Sequence, residues 1–182
     1  MLPAMEDARA VVEFWREAGE DKWWRKDQAF DQEFRARFLA LHEQAAAGQL
    51  ESWLGDASSA LALLILLDQF PRNAFRGTAR MFATDALARR YADAALSQGF
   101  DKQVDGTLHM FFYMPFEHSE SLPDQERSVR LQEHLGAELH KYAVLHQDII
   151  QRFGRFPHRN ALLGRATTPE EQAFLDGGGF SG

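Results

Sequence analysis

The sequence contains no cysteine, which excludes disulfide bonds and thiolate metal ligands. Its longest apolar run, Ala60–Leu67, has eight residues, whereas a membrane-spanning helix needs about 20. The N-terminus lacks the basic stretch and apolar run of a secretory signal. These absences favour a soluble, cytoplasmic protein that does not enter a membrane.

The chain also has few positive charges: it contains 20 Lys and Arg residues and 27 Asp and Glu residues, which gives a net charge of −7. Nucleic-acid-binding proteins need a basic surface, so this balance argues against nucleic acid as a partner. Alternating β-branched runs are missing, whereas Ala, Leu, Glu, Gln and Arg dominate. Because those residues favour helices, the sequence predicts helices throughout.

The helical pattern predicts an all-α protein of seven to nine helices joined by short connections. The chain of 182 residues is 45% apolar and includes 15 Phe and four Trp. A chain of this length and apolar content can form one hydrophobic core but is too short for two stable ones. We therefore expect a single helical domain over residues 1–176 and a flexible tail at 177–182.

Local signals mark several helix boundaries. Phe34, Phe38 and Leu41 form one stripe of a helix expected near 31–47. The next helix, expected over 59–69, should end at Pro71, because proline lacks the N–H that continues a helix. The last helix opens at "TTPEE", 167–171, where Thr, Pro and Glu match a capping box.

Two predicted loops carry nearly the same sequence, and each follows a strongly apolar helix. FPRNA occupies residues 70–74, and FPHRNA occupies 156–161. The windows around them, 69–84 and 149–169, hold seven arginines and not one Asp or Glu. The absence of acids from two arginine-rich windows of an acidic chain raises the question of what the arginines bind.

An arginine offers a planar fork of donors that suits a carboxylate or phosphate, and asparagine stabilises turns. We therefore expect the two loops to lie close together and to hold an anion. The predicted ligand-binding residues are Arg72, Asn73, Arg76, Arg155, His158, Arg159 and Asn160. The alternative is that these arginines join helices, by pairing with carboxylates or with carbonyls at helix ends.

A third polar stretch, residues 114–127, contains His118 and Glu120. These two side chains are candidate catalytic residues that act as acid and base, and we expect His118 to lie beside one of the arginine loops. The alternative is a structural role in caps and salt bridges. His-x-Glu alone is not a metal motif, so no metal ligand is assigned and the cofactor stays open.

Four long blocks of the chain resemble the signatures of an uncharacterised, largely bacterial family, domain-of-unknown-function family 924. They lie at 11–38, 66–85, 111–129 and 146–171, so the resemblance extends along almost the whole chain. The resemblance implies an all-helical fold similar to tetratricopeptide-like α-α superhelices. It implies no activity, so no residue role is carried over from it.

Three functions remain open. The protein could bind a small anionic ligand, a phosphate or carboxylate, in a polar pocket and act on it as an enzyme. It could be a helical-repeat-like module that binds an acidic peptide or another protein. Or the motifs could be purely structural. The positions of the three loops discriminate these readings: one closed pocket favours the first, an open groove the second and scattered positions the third.

Overall fold

The computed structural model describes residues 5–182, which are helical and contain no strand. Their ten α-helices are α1 Met5–Ala18, α2 Glu20–Trp23, α3 Gln28–Ala46, α4 Ala57–Leu64, α5 Phe70–Ala74, α6 Asp85–Ser97, α7 Met114–Glu117, α8 Leu122–Gln132, α9 Ala137–Phe153 and α10 Pro169–Asp176. Short 3₁₀ helices occupy Glu51–Gly55, Ala79–Phe82, Phe100–Gln103, Gly106–Phe112, Glu133–Leu135 and Pro157–Arg159, and Ile65–Gln69 is a π-helix.

The all-α prediction is confirmed, and the helix count within the described residues is slightly above the expected seven to nine. The excess comes from helices such as α2, α5 and α7, which have only four or five residues. A helix this short has too few turns to show an apolar periodicity in the sequence. The tetratricopeptide-like superhelical arrangement stays a prediction.

The described chain divides into two compact units. Unit 1 comprises residues 5–76 and Arg80–Pro115, and unit 2 comprises Gly77–Ala79 and Phe116–Gly182. The expected single domain over 1–176 stays a prediction, and its first four residues lie outside the described ones. No helix among the described residues is both long and apolar enough to cross a membrane.

The core of unit 1 is built on an aromatic stripe of α3. Phe30, Phe34 and Phe38 are buried, and the first two stack against an aromatic ring of α1. The predicted stripe is thus largely correct, although Leu41 is only half-buried. The helix begins earlier than expected because Asp27 caps it, accepting a hydrogen bond from the Phe30 N–H at 3.0 Å.

The third predicted helix does not end at Pro71, which corrects the sequence-based expectation. Its backbone stays helical from α4 through the π-helix and into α5. A proline inside a helix leaves the carbonyl four residues earlier without its N–H donor, here that of Leu67. The wider π turn does the same to the Leu66 carbonyl, because the Phe70 N–H donates to the Ile65 carbonyl instead.

Buried side chains from elsewhere in unit 1 satisfy both of these carbonyls. His42 of α3 donates from Nδ1 to the Leu66 carbonyl at 2.8 Å. Thr84, just before α6, donates from its hydroxyl to the Leu67 carbonyl at 2.6 Å. Burial lowers the pKa of His42, which favours the neutral ring that this bond uses. The helix can therefore pass through proline because two distant residues replace the missing donors.

Replacing Thr84 tests this account of the helix. Thr84→Val keeps the side-chain shape but leaves the buried Leu67 carbonyl without a donor, so the free energy of unfolding should fall by about 1–3 kcal/mol. Thr84→Ser, which retains the hydroxyl, should lose clearly less. Urea unfolding followed by circular dichroism measures both variants. Equal losses in the two variants would show that the hydroxyl does not hold the helix.

In unit 2, the start of α10 matches the predicted capping box. The Thr168 hydroxyl accepts from the Glu171 N–H at 3.2 Å, and the Glu171 carboxylate accepts from the Thr168 N–H at 2.9 Å. The core of the unit is formed by Ile149, Ile150 and Phe156. Phe180, in the segment predicted as a flexible tail, packs against this core.

Candidate functional site

Residues 70–74, which the sequence predicts as a loop, form the helix α5, because the helix passes through Pro71; we keep the name first loop for residues 70–76. Arg72 lies within a largely buried ionic cluster of unit 1. Its guanidinium donates to both carboxylate oxygens of Asp85, at 2.9 and 3.0 Å, and to the carbonyl of Asp68 at 2.8 Å. Burial opposes the charge of Arg72, but the Asp85 and Asp68 carboxylates outweigh it and raise its pKa. The fork of Arg72 is therefore used within the unit.

Asn73 and Arg76 of the same loop share one carboxylate, that of Asp31 in α3. The Asn73 amide donates to Oδ1 at 2.7 Å. Arg76 donates to Oδ2 from Nε at 2.8 Å and to Oδ1 from Nη2 at 3.1 Å. The loop has no acid in its own window, so its partner comes from a helix more than 40 residues earlier.

The second loop repeats this arrangement in unit 2. The Asn160 amide donates to Oε2 of Glu171 at 3.1 Å. Arg155 donates to the same carboxylate from Nε at 2.7 Å and from Nη2 at 2.9 Å. In each loop, the asparagine of the repeated motif and an arginine hold one carboxylate that belongs to a helix. We call this pattern the shared-carboxylate clamp.

Glu120, predicted as an acid–base residue, forms a bidentate ion pair with Arg165 at 2.8 and 2.9 Å. It also accepts from the Phe156 N–H at 2.8 Å. Partial burial alone would raise the pKa of Glu120, but the hydrogen bonds from Arg165 and Phe156 outweigh it and lower the pKa. This geometry keeps the side chain ionised and favours the structural alternative. Sequence reasoning assigned no role to Arg165, although it lies in the same acid-free window.

His118 lies beside the second loop, as the sequence predicts. Its carbonyl accepts from Nη2 of Arg159 at 2.8 Å. Arg159 is buried, and its guanidinium lies 4.6 Å from the centre of the Phe156 ring. His158 contacts the same ring, with centroids 5.7 Å apart. Arg159 thus joins the residue that follows α7 to the loop through a backbone carbonyl.

The predicted site residues fall into two groups. Unit 1 contains Arg72, Asn73 and Arg76, and unit 2 contains His118, Glu120, Arg155, His158, Arg159 and Asn160. Within unit 1 the Asn73 and Arg76 side chains share one carboxylate, and within unit 2 those of Arg155 and Asn160 do. The expectation that both loops form one anion site stays a prediction.

An open cleft of about 370 Å³ lies along α3, beside the first loop. Four α3 residues with helical spacing line it, on a different face from the buried phenylalanines: Gln28, Asp31, Gln32 and Arg35. The remaining lining comes from the segment before α3 and from the first loop: Lys26, Asn73, Ala74 and Arg76. Two of the predicted ligand-binding residues therefore line this cleft.

The cleft has an excess of positive charge, with three cationic side chains and one carboxylate. Lys26 forms no hydrogen bond or ion pair with any described residue and is exposed. Arg35 gives one N–H to the Ala74 carbonyl at 2.9 Å and pairs with no described carboxylate. Sequence reasoning missed both residues, because lysine and arginine on an exposed helix face are ordinary.

The profile of a family described as "Bacterial protein of unknown function (DUF924)" matches residues 11–179. The chain belongs to this family. It is also similar to a solved structure of a protein of unknown function from Agrobacterium tumefaciens. The two share 52% sequence identity and a TM-score of 0.92, over 93% of this chain and 97% of that chain. No curated protein matches the chain. The resemblance stated from the sequence blocks is therefore confirmed.

The clamp at Glu171 should make the stability of the protein depend on pH. The hydrogen bond from Arg155, helped by those from Thr168 and Asn160, lowers the pKa of Glu171 from 4.5 to about 2. A carboxyl whose pKa is lower in the folded state stabilises the fold above its ordinary pKa, and this contribution is lost as the pH falls toward 2. Glu171→Gln should therefore unfold at lower urea at pH 7 and lose less stability between pH 5 and pH 2.

Glu170→Gln is the matched control, because Glu170 is an exposed neighbour of Glu171. Urea unfolding at a series of pH values compares both variants with the parent protein. If Glu171→Gln kept the full acid loss of the parent, the clamp would not be the source of the pH dependence.

Proposed function

We propose that the protein binds a small anionic ligand, a carboxylate or a phosphate, in the α3 cleft. The supporting observation is that Lys26 and Arg35 line this cleft without a carboxylate partner among the described residues. By contrast, Arg72, Arg155 and Arg165 each form a bidentate pair with an internal carboxylate. Cations left after the internal pairs are formed are the ones available to a ligand.

The chemistry of the cleft fits such a ligand. Its volume of about 370 Å³ lies in the range of small-molecule sites. Arg35 retains most of its planar fork of donors, which matches carboxylate or phosphate oxygens. The carboxylate of Asp31 would repel an anion, but both of its oxygens accept from Asn73 and Arg76. The local field therefore stays positive.

An acidic peptide is the second candidate ligand, because the cleft is open to solvent along α3. An extended segment would place its carboxylates on Arg35 and Lys26, and the amide side chains of Gln28 and Gln32 would bind its backbone. Both candidate ligands would bind to the same charged side chains, so they are distinguished by testing a different probe for each. Inorganic phosphate and glutarate represent the small anion, and an acetylated tetraglutamate peptide represents the other.

An enzymatic role for His118 and Glu120 is a separate matter and stays a prediction. So do a cytoplasmic location and the ligand role of Arg155, His158, Arg159 and Asn160. The ion pair of Glu120 with Arg165 would first have to break before Glu120 could transfer a proton. We therefore base the proposal on binding alone.

Lys26→Gln tests the cleft with little effect on the fold, because the Lys26 ammonium has no partner among residues 5–182. Loss of one charge-assisted contact should weaken anion binding by about 1.5–3 kcal/mol, roughly tenfold to a hundredfold. Isothermal titration calorimetry measures phosphate, glutarate and the peptide. The melting temperature without ligand should stay unchanged.

Arg25→Gln is the control, since it removes the same charge one residue earlier, outside the cleft lining. It should leave the affinity close to that of the parent. An equal loss in both variants would indicate a general charge effect. Binding of none of the three probes to the parent protein would refute the proposed function.

A further inference from the structure

The outer face of α9 carries two large side chains of mainly apolar character that remain exposed. Tyr142 is 51% exposed, and Leu145 is 37% exposed. Glu138 and Arg152 are exposed toward the two ends of the same helix. The positions 138, 142, 145, 149 and 152 are four, three, four and three residues apart. This spacing aligns side chains along the seam between two packed helices.

The other side of α9 is packed within its own unit. Ala143, His146 and Ile150 are buried, and so is Ile149, the fourth of the five positions. Ile149 and Ile150 belong to the core of unit 2 together with Phe156. The helix is therefore held in place from one side. Its uncovered apolar surface is concentrated near its middle.

Four charged side chains surround the two exposed apolar ones. Glu138, Lys141 and Asp148 are exposed and form no ion pair with any residue in the range 5–182. Arg152 lies 4.6 Å from the centre of the Phe153 ring and pairs with no carboxylate in that range. These charges are therefore available to a partner. We call this surface the α9 face, defined by Glu138, Lys141, Tyr142, Leu145, Asp148 and Arg152.

The charges of the α9 face complement themselves when the helix is reversed. Glu138 lies seven residues before Leu145, and Arg152 lies seven residues after it. In an antiparallel helix pair centred on Leu145, Glu138 of each copy therefore faces Arg152 of the other. Lys141 and Asp148, four residues before and three after the centre, face each other along one flank in the same way.

The opposite orientation of the two helices is unfavourable. In a parallel pair in register, Glu138 faces its own copy and Arg152 faces its own copy, and such like-charge contacts oppose association. The antiparallel pair has two-fold symmetry, so each of its two kinds of ion pair occurs twice. The order of the charges therefore favours a second copy of this chain as the partner, because only a chain with the same order is complementary along the whole face.

We propose that the α9 face binds the α9 face of a second copy of this chain and forms an antiparallel dimer, with the two Leu145 side chains in contact at the two-fold axis. The face extends over about 21 Å from Glu138 to Arg152, which places the contact at the small end of specific interfaces. The dimer is therefore in equilibrium with the monomer, with a dissociation constant on the order of 0.1 mM. This surface lies in unit 2 and does not depend on the α3 cleft.

The absence of cysteine allows the dimer to be tested with a single introduced thiol. The axes of packed helices lie about 8–10 Å apart. Two Cα atoms that face each other at the two-fold axis therefore come within the range of about 4.4–6.8 Å that a disulfide spans. Leu145→Cys should form a covalent dimer under mild oxidation, and non-reducing electrophoresis detects it.

Tyr142→Cys is the matched control, because Tyr142 is more exposed than Leu145 but lies one turn away from the axis. In the antiparallel pair it faces position 149 of the other copy, so its thiol should cross-link roughly tenfold more slowly. Equal rates in the two variants, or no covalent dimer of Leu145→Cys, would overturn the proposed arrangement.

Charge reversal tests the register independently. Glu138→Arg places arginines opposite each other, and Arg152→Glu places glutamates opposite each other. Each variant alone should raise the dissociation constant about tenfold. An equimolar mixture of the two variants restores opposite charges at both ends and should dimerise as the parent protein does. Sedimentation equilibrium measures the association, and thermal unfolding followed by circular dichroism shows whether each variant is folded.

Glu126→Arg is the control for net charge, since Glu126 is exposed on α8 outside the α9 face. It should leave the dissociation constant close to that of the parent. An equal loss in this control, or failure of the mixture to recover dimerisation, would refute the register. A parent protein that stays monomeric at about 1 mM would refute the dimer itself.

Discussion

In each unit, one carboxylate is held at the same time by an asparagine amide and an arginine fork. Asp31 has this role in unit 1, and Glu171 has it in unit 2. Both carboxylates are largely removed from water, so the desolvation cost is high and each donor matters. Loss of any one partner would leave a poorly solvated charge. The clamps therefore fix the positions of the two loops, and the α3 cleft exists because the first loop is fixed.

These contacts explain why the two arginine-rich windows contain no Asp or Glu. An Asp or Glu within the window would offer the arginines a partner on the same segment, and such local pairs at a surface contribute little. Without one, Arg76 reaches Asp31 and Arg165 reaches Glu120, each 45 residues away in the sequence. The arginines thus connect distant elements, as the structural alternative for these motifs expects.

Local chemistry was predictable from the sequence, and partners that tertiary structure brings together were not. The capping box at Thr168 and the aromatic stripe of α3 involve residues within one or two turns of each other. The passage of the helix through Pro71 depends on Thr84 and His42, which no local pattern connects to it. The same limit applies to the candidate site: Lys26 and Arg35 are ordinary by sequence, and what distinguishes them is that neither has a carboxylate partner in the part of the chain that the structure describes.

A polar side chain can bind a ligand only through the hydrogen-bond donors and acceptors that are not already engaged in contacts within the fold. Arg72 is half-buried and has two carboxylate partners, so its hydrogen-bond donors are already used within the structure. Within the described residues, Arg35 donates one hydrogen bond, to a carbonyl, and lies 5.3 Å from the centre of the Phe75 ring, so most of its donors remain unused. In unit 2 the same holds for Glu120, whose carboxylate is already bound by Arg165. The residues of the repeated motifs hold the protein together, and the cations that remain available to a ligand lie beside them.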